Sequence, residues 1–301
     1  MRERVLVTGA AGFVGRHAVP ALRARGFEVH GVGRAVSAEA AWHAADLLVP
    51  AERQALIAKI RPSHLLHLAW DAEPGRYWTS ARNLDWVAAT LDLAQAFAAA
   101  GGRRFVGAGT CAEYEWGAAR FEEATTPCRP ATLYGAAKDG TRRILEAYAA
   151  TQTLSVAWGR LFYLYGPGER RGRLVSDAIR ALTAGTAFPT SHGHQRRDFL
   201  HVADAAAALA ALVAGDVPGP VNIGSGAAIP VRALLKGLAA RIGGAEHLDF
   251  GARPLSPTEP PVIEAGTRIL TETVGFRPRF DVARGLDDTV AWWRARGKAP
   301  G

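Results

Sequence analysis

The 301-residue sequence predicts an α/β fold in which a doubly wound parallel sheet is joined to a smaller C-terminal lobe. Three observations support this prediction. Short apolar runs alternate with longer helical patterns through the first half of the chain, a glycine-rich turn links the first run to the first helix, and the alternation becomes irregular after residues 166–168. Strands that alternate with helices are joined by right-handed crossovers, which make the strands parallel.

The individual elements follow from hydrophobic periodicity. Apolar runs at 5–8, 27–32, 64–69, 104–108 and 155–161 are expected to form strands. Helices are expected around 14–22, 51–59, 79–99 and 132–151 and, after the irregular point, around 173–184, 203–214, 230–242 and 281–296. We therefore expect a first domain over residues 1–165, returns to its sheet near 197–224, and a smaller lobe made mainly of residues 166–301.

The composition excludes several classes of protein. Hydrophobic residues make up 49% and charged residues 21% of the chain, which is typical of a globular protein. No apolar stretch approaches the ~20 residues that a membrane helix needs, so no membrane partner is expected, and the N-terminus lacks the anatomy of a signal peptide. Cys111 and Cys128 are the only cysteines and have no metal-ligand spacing, which favours a reduced, cytoplasmic protein.

The charge balance favours a small anionic ligand over a nucleic acid. The chain has 36 basic and 28 acidic residues, which gives a formal net charge of +8. These basic residues are dispersed and form no run of five or more, unlike a nucleic-acid-binding patch. Arginine forks instead suit the phosphates of a small molecule. His192, His194 and His201 lack an acidic partner at ligand spacing, so no metal site is expected.

The glycine-rich turn predicts a dinucleotide-binding site. Residues 8–15 read TGAAGFVG and lie between the first strand and the first helix. Glycines at these positions permit a tight turn and let the backbone approach a pyrophosphate, which the helix N-terminus attracts. A purely structural turn would also use glycines. This turn, however, directly follows the first strand and opens a helix, and that context favours a ligand-binding turn. The residues expected to contact the cofactor are Gly9, Gly12, Phe13, Val14 and Gly15.

The end of the second strand bears on the choice between NAD and NADP. An NAD site places an acidic residue there for the ribose, whereas an NADP site has arginine and no carboxylate. Gly33 occupies the acidic position, Arg34 follows it, and Arg16 adds a second positive charge. NADP(H) is therefore the preferred cofactor, and NAD(H) is possible. The alternative interpretation of Arg34 is a solvated surface residue that contacts no cofactor. Asp46 and Leu47 are expected beside the adenine.

Tyr134 and Lys138 form a candidate proton-transfer pair. Residues four apart share one face of a helix, so the phenol and the ammonium can point into one cleft. A nearby ammonium favours phenolate and lowers the pKa of the phenol. Thr110, after the fourth strand, supplies a hydroxyl for the same carbonyl oxygen. A tyrosine and a lysine at this spacing also occur by chance, but here they follow a dinucleotide fingerprint.

Together these segments resemble the extended short-chain dehydrogenase/reductases, the family of nucleotide-sugar epimerases, dehydratases and ketoreductases. The resemblance rests on TGAAGFVG at 8–15, HLAW at 67–70, GTCAEY at 109–114, RDF at 197–199 and VNIGSG at 221–226. It implies a Rossmann domain with a substrate-binding lobe, and it implies homodimers formed through helices near 83–99 and 134–150.

The resemblance also assigns roles to individual residues. It implies catalysis by Thr110, Tyr134 and Lys138, with Tyr134 and Lys138 also touching the cofactor. Leu68, Ala69 and Trp70 would line the cofactor site. The implied substrate-binding residues are Thr110, Cys111, Arg197 and Arg253, the arginines facing the diphosphate of a nucleotide sugar. Arg173, which follows the turn at 166–168, either contacts the diphosphate or base of the substrate or belongs to a solvated face. Trp70, Asp71, Tyr77 and Trp78 would either line the sugar pocket or pack in the core.

Two departures from the family pattern bear on the reaction. Cys111 and Ala112 stand where the 4,6-dehydratases carry an Asp-Glu pair, so dehydration is not expected. Gly33 replaces an acidic residue that the 4-epimerases use to retain NAD. The expected activity is NADPH-dependent reduction of a nucleotide-linked 4-keto-6-deoxy sugar, with Tyr134 as the proton donor. The alternatives are an epimerase with bound NAD and a non-catalytic sensor of NADP(H).

Overall fold

Seven parallel strands form the central sheet of the computed structural model, which describes residues 2–34 and 41–297. Counting those of the smaller sheets, the described residues form fourteen strands in chain order. They are β1 (Arg4–Thr8), β2 (Glu28–Gly33), β3 (Trp42–Ala44), β4 (His64–His67), β5 (Arg104–Thr110), β6 (Ser155–Leu161), β7 (Tyr163–Tyr165), β8 (Phe188–Thr190), β9 (Arg196–Arg197), β10 (Phe199–His201), β11 (Gly219–Ile223), β12 (Ile229–Pro230), β13 (Leu248–Phe250) and β14 (Val262–Ile263). The large sheet has the order β11-β6-β5-β4-β1-β2-β3. The α/β class and the parallel sheet predicted from the sequence are thereby confirmed.

Eight α-helices accompany the strands in the part of the chain that the structure describes. They are α1 (Gly15–Ala24), α2 (Pro50–Ile60), α3 (Arg82–Ala99), α4 (Leu133–Ala149), α5 (Leu174–Ala184), α6 (Val202–Ala214), α7 (Val231–Ile242) and α8 (Val282–Ala295). Short helical turns occur at Cys111–Glu113, Ala245–His247 and Ile269–Thr273. Within the described ranges, no helix is both long and apolar enough to cross a membrane.

The sheet reverses its order at β1, which pairs with β2 on one side and β4 on the other. In open α/β sheets, ligands bind outside the carboxyl ends of the strands at such a reversal. Thr8 ends β1 and His67 ends β4, and Thr110 ends β5 one strand further along. The fold therefore brings the glycine-rich turn and the candidate catalytic residues to the same edge of the sheet.

Three hydrophobic clusters account for most of the buried apolar side chains. The first joins one face of the sheet to α1 and α6, and the second joins the other face to α2, α3 and α4. Helix α6 reads VADAAAALAALVA and buries nine of its residues, because its small side chains let it lie close to both the sheet and α1. The third cluster is built mainly by α5, α7 and α8, after the irregular point in the chain.

Candidate active site

The glycine-rich turn is tight enough to exclude side chains at three positions. A Cβ on Gly9 would lie 3.0 Å from Ala69 N, and a Cβ on Gly15 would lie 2.2 Å from Gly9 O. Gly12 N donates to Gly9 O at 2.8 Å, and Gly9 has a φ of +66°, which favours glycine. These glycines therefore leave an open backbone cradle at the start of α1, which fits a dinucleotide pyrophosphate. Phe13 and Val14 lead from this cradle into the helix.

A buried hydrogen-bonded chain joins the turn to the segment after β4. Thr8 Oγ1 accepts hydrogen bonds from Leu68 N and Ala69 N, both at 3.1 Å. Its own proton therefore goes to His67 Nδ1 at 2.9 Å, and His67 Nε2 donates to Thr90 Oγ1 at 2.9 Å. Burial lowers the pKa of His67 to about 3, which keeps the ring neutral. Sequence reasoning identified Leu68 and Ala69 as cofactor-lining residues. It assigned no role to Thr8, which holds their backbone, or to His67, which orients the Thr8 hydroxyl.

Thr110, Tyr134 and Lys138 meet at the carboxyl end of β5. Helix α4 begins at Leu133 because Thr132 Oγ1 accepts from Gly135 N and caps it, so Tyr134 and Lys138 occupy its first two turns. The Thr110 side chain lies near the Tyr134 phenol and lowers the pKa of that phenol. Lys138 Nζ donates to Ala108 O at 2.7 Å. The three residues predicted to be catalytic are therefore neighbours in the fold.

Burial acts in opposite directions on the two titrating groups. It lowers the pKa of Lys138 to about 7, because a desolvated ammonium is disfavoured. Burial raises the pKa of the Tyr134 phenol above its usual value, because a desolvated phenolate is disfavoured. Tyr77 raises this pKa further, whereas Thr110 lowers it. Tyr134 is therefore a phenol at neutral pH, the protonation state of a proton donor.

Trp70 lies directly against the Lys138 ammonium, with Nζ 3.8 Å from the ring centroid. Trp70 Nε1 donates to Asn83 Oδ1 at 2.8 Å, and its ring stacks on Trp86 with centroids 6.2 Å apart. These contacts fix the indole so that its face stabilises the ammonium. Asp71, the next residue, has its carboxylate 3.4 Å from Arg82 and lies outside this arrangement.

Two aromatic residues pack around the phenol of Tyr134. Tyr77 and Trp78 meet its ring edge-on, with centroids 4.8 Å and 5.8 Å away. Tyr77 also lies 5.3 Å from the guanidinium of Arg173, whose Nη2 donates to Ala72 O at 3.1 Å. Tyr77 is buried, so its two predicted roles coincide: it packs in the core and borders the site.

Glu113 is a site residue that sequence reasoning missed. It is fully buried, and its Oε1 accepts from Thr110 N and from Trp158 Nε1, both at 2.8 Å. Its Oε2 accepts from Arg160 Nε at 2.7 Å, and Arg160 is only 1% exposed. The pattern Thr-x-x-Glu at 110–113 is a capping box and could have revealed the link to Thr110. The pairing with Arg160 depends on the tertiary fold and could not.

Two of the three candidate diphosphate-binding arginines line one cavity. Arg173 and Arg253 border a space of about 460 Å³ together with Asp177 and strand β8. The third, Arg197, is buried, forms an ion pair with Glu259 and lies 5.6 Å from the ring of Tyr163. Arg197 is therefore not among the residues that border this cavity.

Cys111 is buried beside Thr110, the candidate catalytic threonine. Burial raises the pKa of its thiol to about 12, with further increases from Asp198 and Glu113. A thiol with so high a pKa is not a nucleophile at neutral pH. Cys111 instead packs in a small apolar cluster with Tyr114 and Phe121.

The adenosine end of the predicted site is more open. Arg34 is exposed at the end of β2, next to Gly33. The carboxylate of Asp46 accepts from Leu48 N at 2.9 Å, so one of its oxygens is already engaged, and Leu47 is buried. Arg16 donates to Gly12 O at 3.3 Å and lies against Gly168. Its guanidinium is therefore oriented along the glycine-rich turn toward the loop after β7.

Comparisons with known proteins agree with this geometry. A family model described as the NAD dependent epimerase/dehydratase family matches residues 5–224. A UDP-glucose 4-epimerase of Mycolicibacterium smegmatis is 28% identical over 320 residues, covering 98% of this chain and 100% of the relative. A dTDP-6-deoxy-L-talose 4-dehydrogenase (NAD(+)) of Aggregatibacter actinomycetemcomitans is 25% identical over 208 residues, covering 66% of this chain and 76% of the relative.

A solved structure extends the similarity to the whole fold. The UDP-glucose 4-epimerase of Thermus thermophilus in complex with NAD superposes with a TM-score of 0.85 at 25% identity, covering 97% of this chain and 99% of that chain.

Proposed function

The chain belongs to the NAD-dependent epimerase/dehydratase family, and from that premise we propose that it reduces the 4-keto group of a nucleotide-linked 6-deoxy sugar with NADPH. The relatives to which it is similar include a UDP-glucose 4-epimerase and UDP-glucuronic acid decarboxylases, which act on nucleotide sugars. The dTDP-6-deoxy-L-talose 4-dehydrogenase among them supports chemistry at a 4-position.

The observation that carries the proposal is the turn at Cys111–Glu113, which offers no free carboxylate next to Thr110. Elimination of water from a sugar requires a general acid and a general base beside the reacting carbons. Cys111 and Ala112 are neutral and buried, and both carboxylate oxygens of Glu113 are engaged. The side chains that remain, Thr110 and Tyr134, suit transfer of a hydride and a proton at one carbon.

The chain's own residues supply the proton in this scheme. Tyr134, held as a phenol, donates its proton to the carbonyl oxygen as the hydride arrives at carbon. Thr110 donates a hydrogen bond to the same oxygen and stabilises the developing negative charge. The Lys138 ammonium stabilises the phenolate that results. When bound in the cradle of Gly9, Gly12 and Gly15, a reduced nicotinamide dinucleotide supplies the hydride.

The two arginines of the cavity support a diphosphate substrate. Arg173 and Arg253 border a space of about 460 Å³ and can each pair with phosphate oxygens. Tyr77 bridges Arg173 and Tyr134, so a diphosphate held by Arg173 would place its sugar toward the phenol. We propose a nucleoside diphosphate sugar as the substrate.

Steady-state turnover tests the proposal directly. The purified protein, mixed with NADPH and a panel of nucleotide-linked 4-keto-6-deoxy sugars, should consume the reduced nicotinamide with at least one of them. Tyr134→Phe should lower turnover by about 10²- to 10⁴-fold and leave the dissociation constant of NADPH unchanged. No consumption with any member of the panel would contradict the proposal. Equal turnover by Tyr134→Phe would contradict the role of the phenol.

An NAD-dependent epimerase is the second candidate, because a UDP-glucose 4-epimerase is 28% identical over 98% of this chain. An epimerase returns its hydride to the substrate and shows no net redox change. Mass spectrometry of the denatured protein separates the candidates: co-purified NAD supports the epimerase, and apo protein or bound NADP supports the reductase. A non-catalytic sensor of NADP(H), the third possibility, would bind the cofactor and turn over none of the panel.

A further inference from the structure

The indole of Trp42 lies across the two glycines that end β2. Strands β2 and β3 are parallel, and Trp42 pairs with Gly31 in their register. A Cβ on Gly31 would lie 2.7 Å from Trp42 Cε3, and a Cβ on Gly33 would lie 3.1 Å from Trp42 Cζ2. Both distances are shorter than an ordinary carbon–carbon contact. The indole therefore occupies the space that side chains at residues 31 and 33 would need.

This indole lies on the side of the sheet that carries the glycine-rich turn. The same Cβ on Gly31 would be 3.2 Å from Ala10 Cβ, and Ala10 belongs to the turn. Residues 31 and 33 share one face of the strand, so the ring extends from the turn toward the carboxyl end of β2. A ribose-binding carboxylate would stand at that end. Trp42 is only partly buried, so part of its side chain is accessible to solvent.

We propose that Trp42 takes the place of the ribose-binding carboxylate, forms one wall of the adenosine subsite, and so excludes from residue 33 the carboxylate that would favour NAD(H). The inference rests on the cofactor use described under Proposed function. An aromatic face packs against a ribose and an adenine without requiring a 2′-hydroxyl. A carboxylate would repel a 2′-phosphate, whereas the indole carries no charge. Arg34, exposed beside Gly33, adds a positive charge at the same end of the strand.

The contact with Trp42 gives a steric reason for the absence of an acidic residue at position 33. An aspartate at residue 33 would start with its Cβ 3.1 Å from the indole edge, so its carboxylate could reach a ribose only if the ring moved. The effects of substitutions at 33 and 42 must then be coupled. Coupling between two contacting residues is what a double-mutant cycle measures.

The experiment titrates NADPH and NADH by fluorescence into four proteins: the wild type, Trp42→Val, Gly33→Asp, and the double variant Gly33→Asp/Trp42→Val. Trp42→Val should weaken both cofactors by about two- to tenfold, because each loses the aromatic wall. Gly33→Asp alone should change the NADPH-to-NADH affinity ratio little. The double variant should shift that ratio toward NADH by about tenfold or more, because valine leaves room for a carboxylate that binds the ribose and repels the phosphate.

His43→Val is the matched control, since His43 is the next residue on β3 and its ring contacts His30 instead. It should leave both dissociation constants unchanged. The inference is overturned if Trp42→Val leaves both constants at their wild-type values, or if Gly33→Asp alone shifts the ratio as far as the double variant does. Trp42→Val keeps the test decisive if Gly33→Asp fails to fold. Failure of the wild type to bind either cofactor would refute the proposed function instead.

Discussion

Lys138 combines two requirements that conflict at the scale of a single residue. Its amine is buried and its pKa falls to about 7 from an ordinary 10.5. The proposed chemistry, however, needs an ammonium beside the Tyr134 phenol. The face of Trp70, 3.8 Å from Nζ, and the carbonyl of Ala108 both favour the charged form. The protonation of this lysine therefore depends on a few identifiable contacts.

Replacing Trp70 should move the pH dependence of turnover. A desolvated cation–π contact contributes about 0.5–2 kcal/mol, so its loss should lower the pKa of Lys138 by roughly 0.4–1.5 units. In Trp70→Leu, the alkaline limb of the pH profile of turnover should shift to lower pH by that amount. Trp70→Phe should lie between this variant and the wild type, and Trp292→Phe on α8, where the ring meets Trp293, should leave the limb in place. An unshifted limb in Trp70→Leu would refute the role of the ring.

Removing the buried amine should stabilise the protein while abolishing turnover. The folded-state pKa of Lys138 lies below its unfolded value, so the penalty for burying the charge is complete below about pH 7 and disappears as pH rises toward 10.5. Lys138→Met, similar in length and uncharged, should therefore raise the unfolding midpoint at pH 6. The advantage should shrink at pH 9. A lower midpoint at both pH values would show that the amine contributes net stability.

At the scale of elements, the turn at Cys111–Glu113 ties the catalytic threonine to the core. Glu113 caps this turn through Thr110 N and pairs with the fully buried Arg160. Removing one charge of a buried pair leaves the other uncompensated, which costs about 3–5 kcal/mol. The position of Thr110 therefore depends on an ion pair that solvent does not reach.

Glu113→Gln tests this dependence. It should lower the free energy of unfolding by about 3–5 kcal/mol, measured by denaturant titration, because Arg160 loses its anion. The control is Glu115→Gln, two residues away, where the ion pair with Arg129 is exposed and its loss should cost no more than about 1 kcal/mol. Equal effects of the two substitutions would contradict the account.

Elements with a local pattern could be predicted, and those that depend on distant partners could not. The five predicted strands of the large sheet are present, although β4 ends at His67 and β5 continues to Thr110. Strand β3 was missed because three residues show no alternation. Strands β8 and β13 were missed because each is defined by pairing with the other, about 60 residues apart in sequence.

The same distinction applies to the site. TGAAGFVG and the Tyr134–Lys138 spacing are local patterns, and the fold brings them together at one edge of the sheet. The partner of Arg197 is Glu259, which no spacing rule identifies. The contact between Trp42 and Gly33 likewise depends on the register of two strands. Sequence patterns therefore predicted the candidate site residues that the fold brings together, but not the residues that hold them in place.

At the scale of the whole molecule, separate hydrophobic clusters support the two parts of the candidate site. The two clusters on the faces of the sheet support the cradle and the catalytic residues, and the third lies under the cavity of Arg173 and Arg253. We propose that residues 1–165, with the returning segment 197–224, hold the cofactor. Residues 166–301 then mainly hold the substrate.

A homodimer through α3 and α4 is the quaternary arrangement that we propose. These two helices contact each other, and each exposes a large apolar side chain, Leu84 at 59% and Ile144 at 50%. Leu84→Arg/Ile144→Arg should convert a dimer into a monomer in light scattering, because charges would be buried at the interface. Val49→Arg, at an exposed apolar position immediately before α2, should leave the mass unchanged. A wild type that is monomeric at micromolar concentration would contradict the arrangement.

The engagement of Glu113 also limits how this enzyme can be redesigned. Elimination chemistry would need a free carboxylate, and that of Glu113 lies only three residues from Thr110. Using Glu113 as an acid or base, however, would leave the buried charge of Arg160 without its partner. New acids would have to enter at Cys111 and Ala112, which are 8% and 3% exposed, and each would need its own hydrogen-bond donors. Several coordinated substitutions are therefore required to change the reaction, and no single one provides a route.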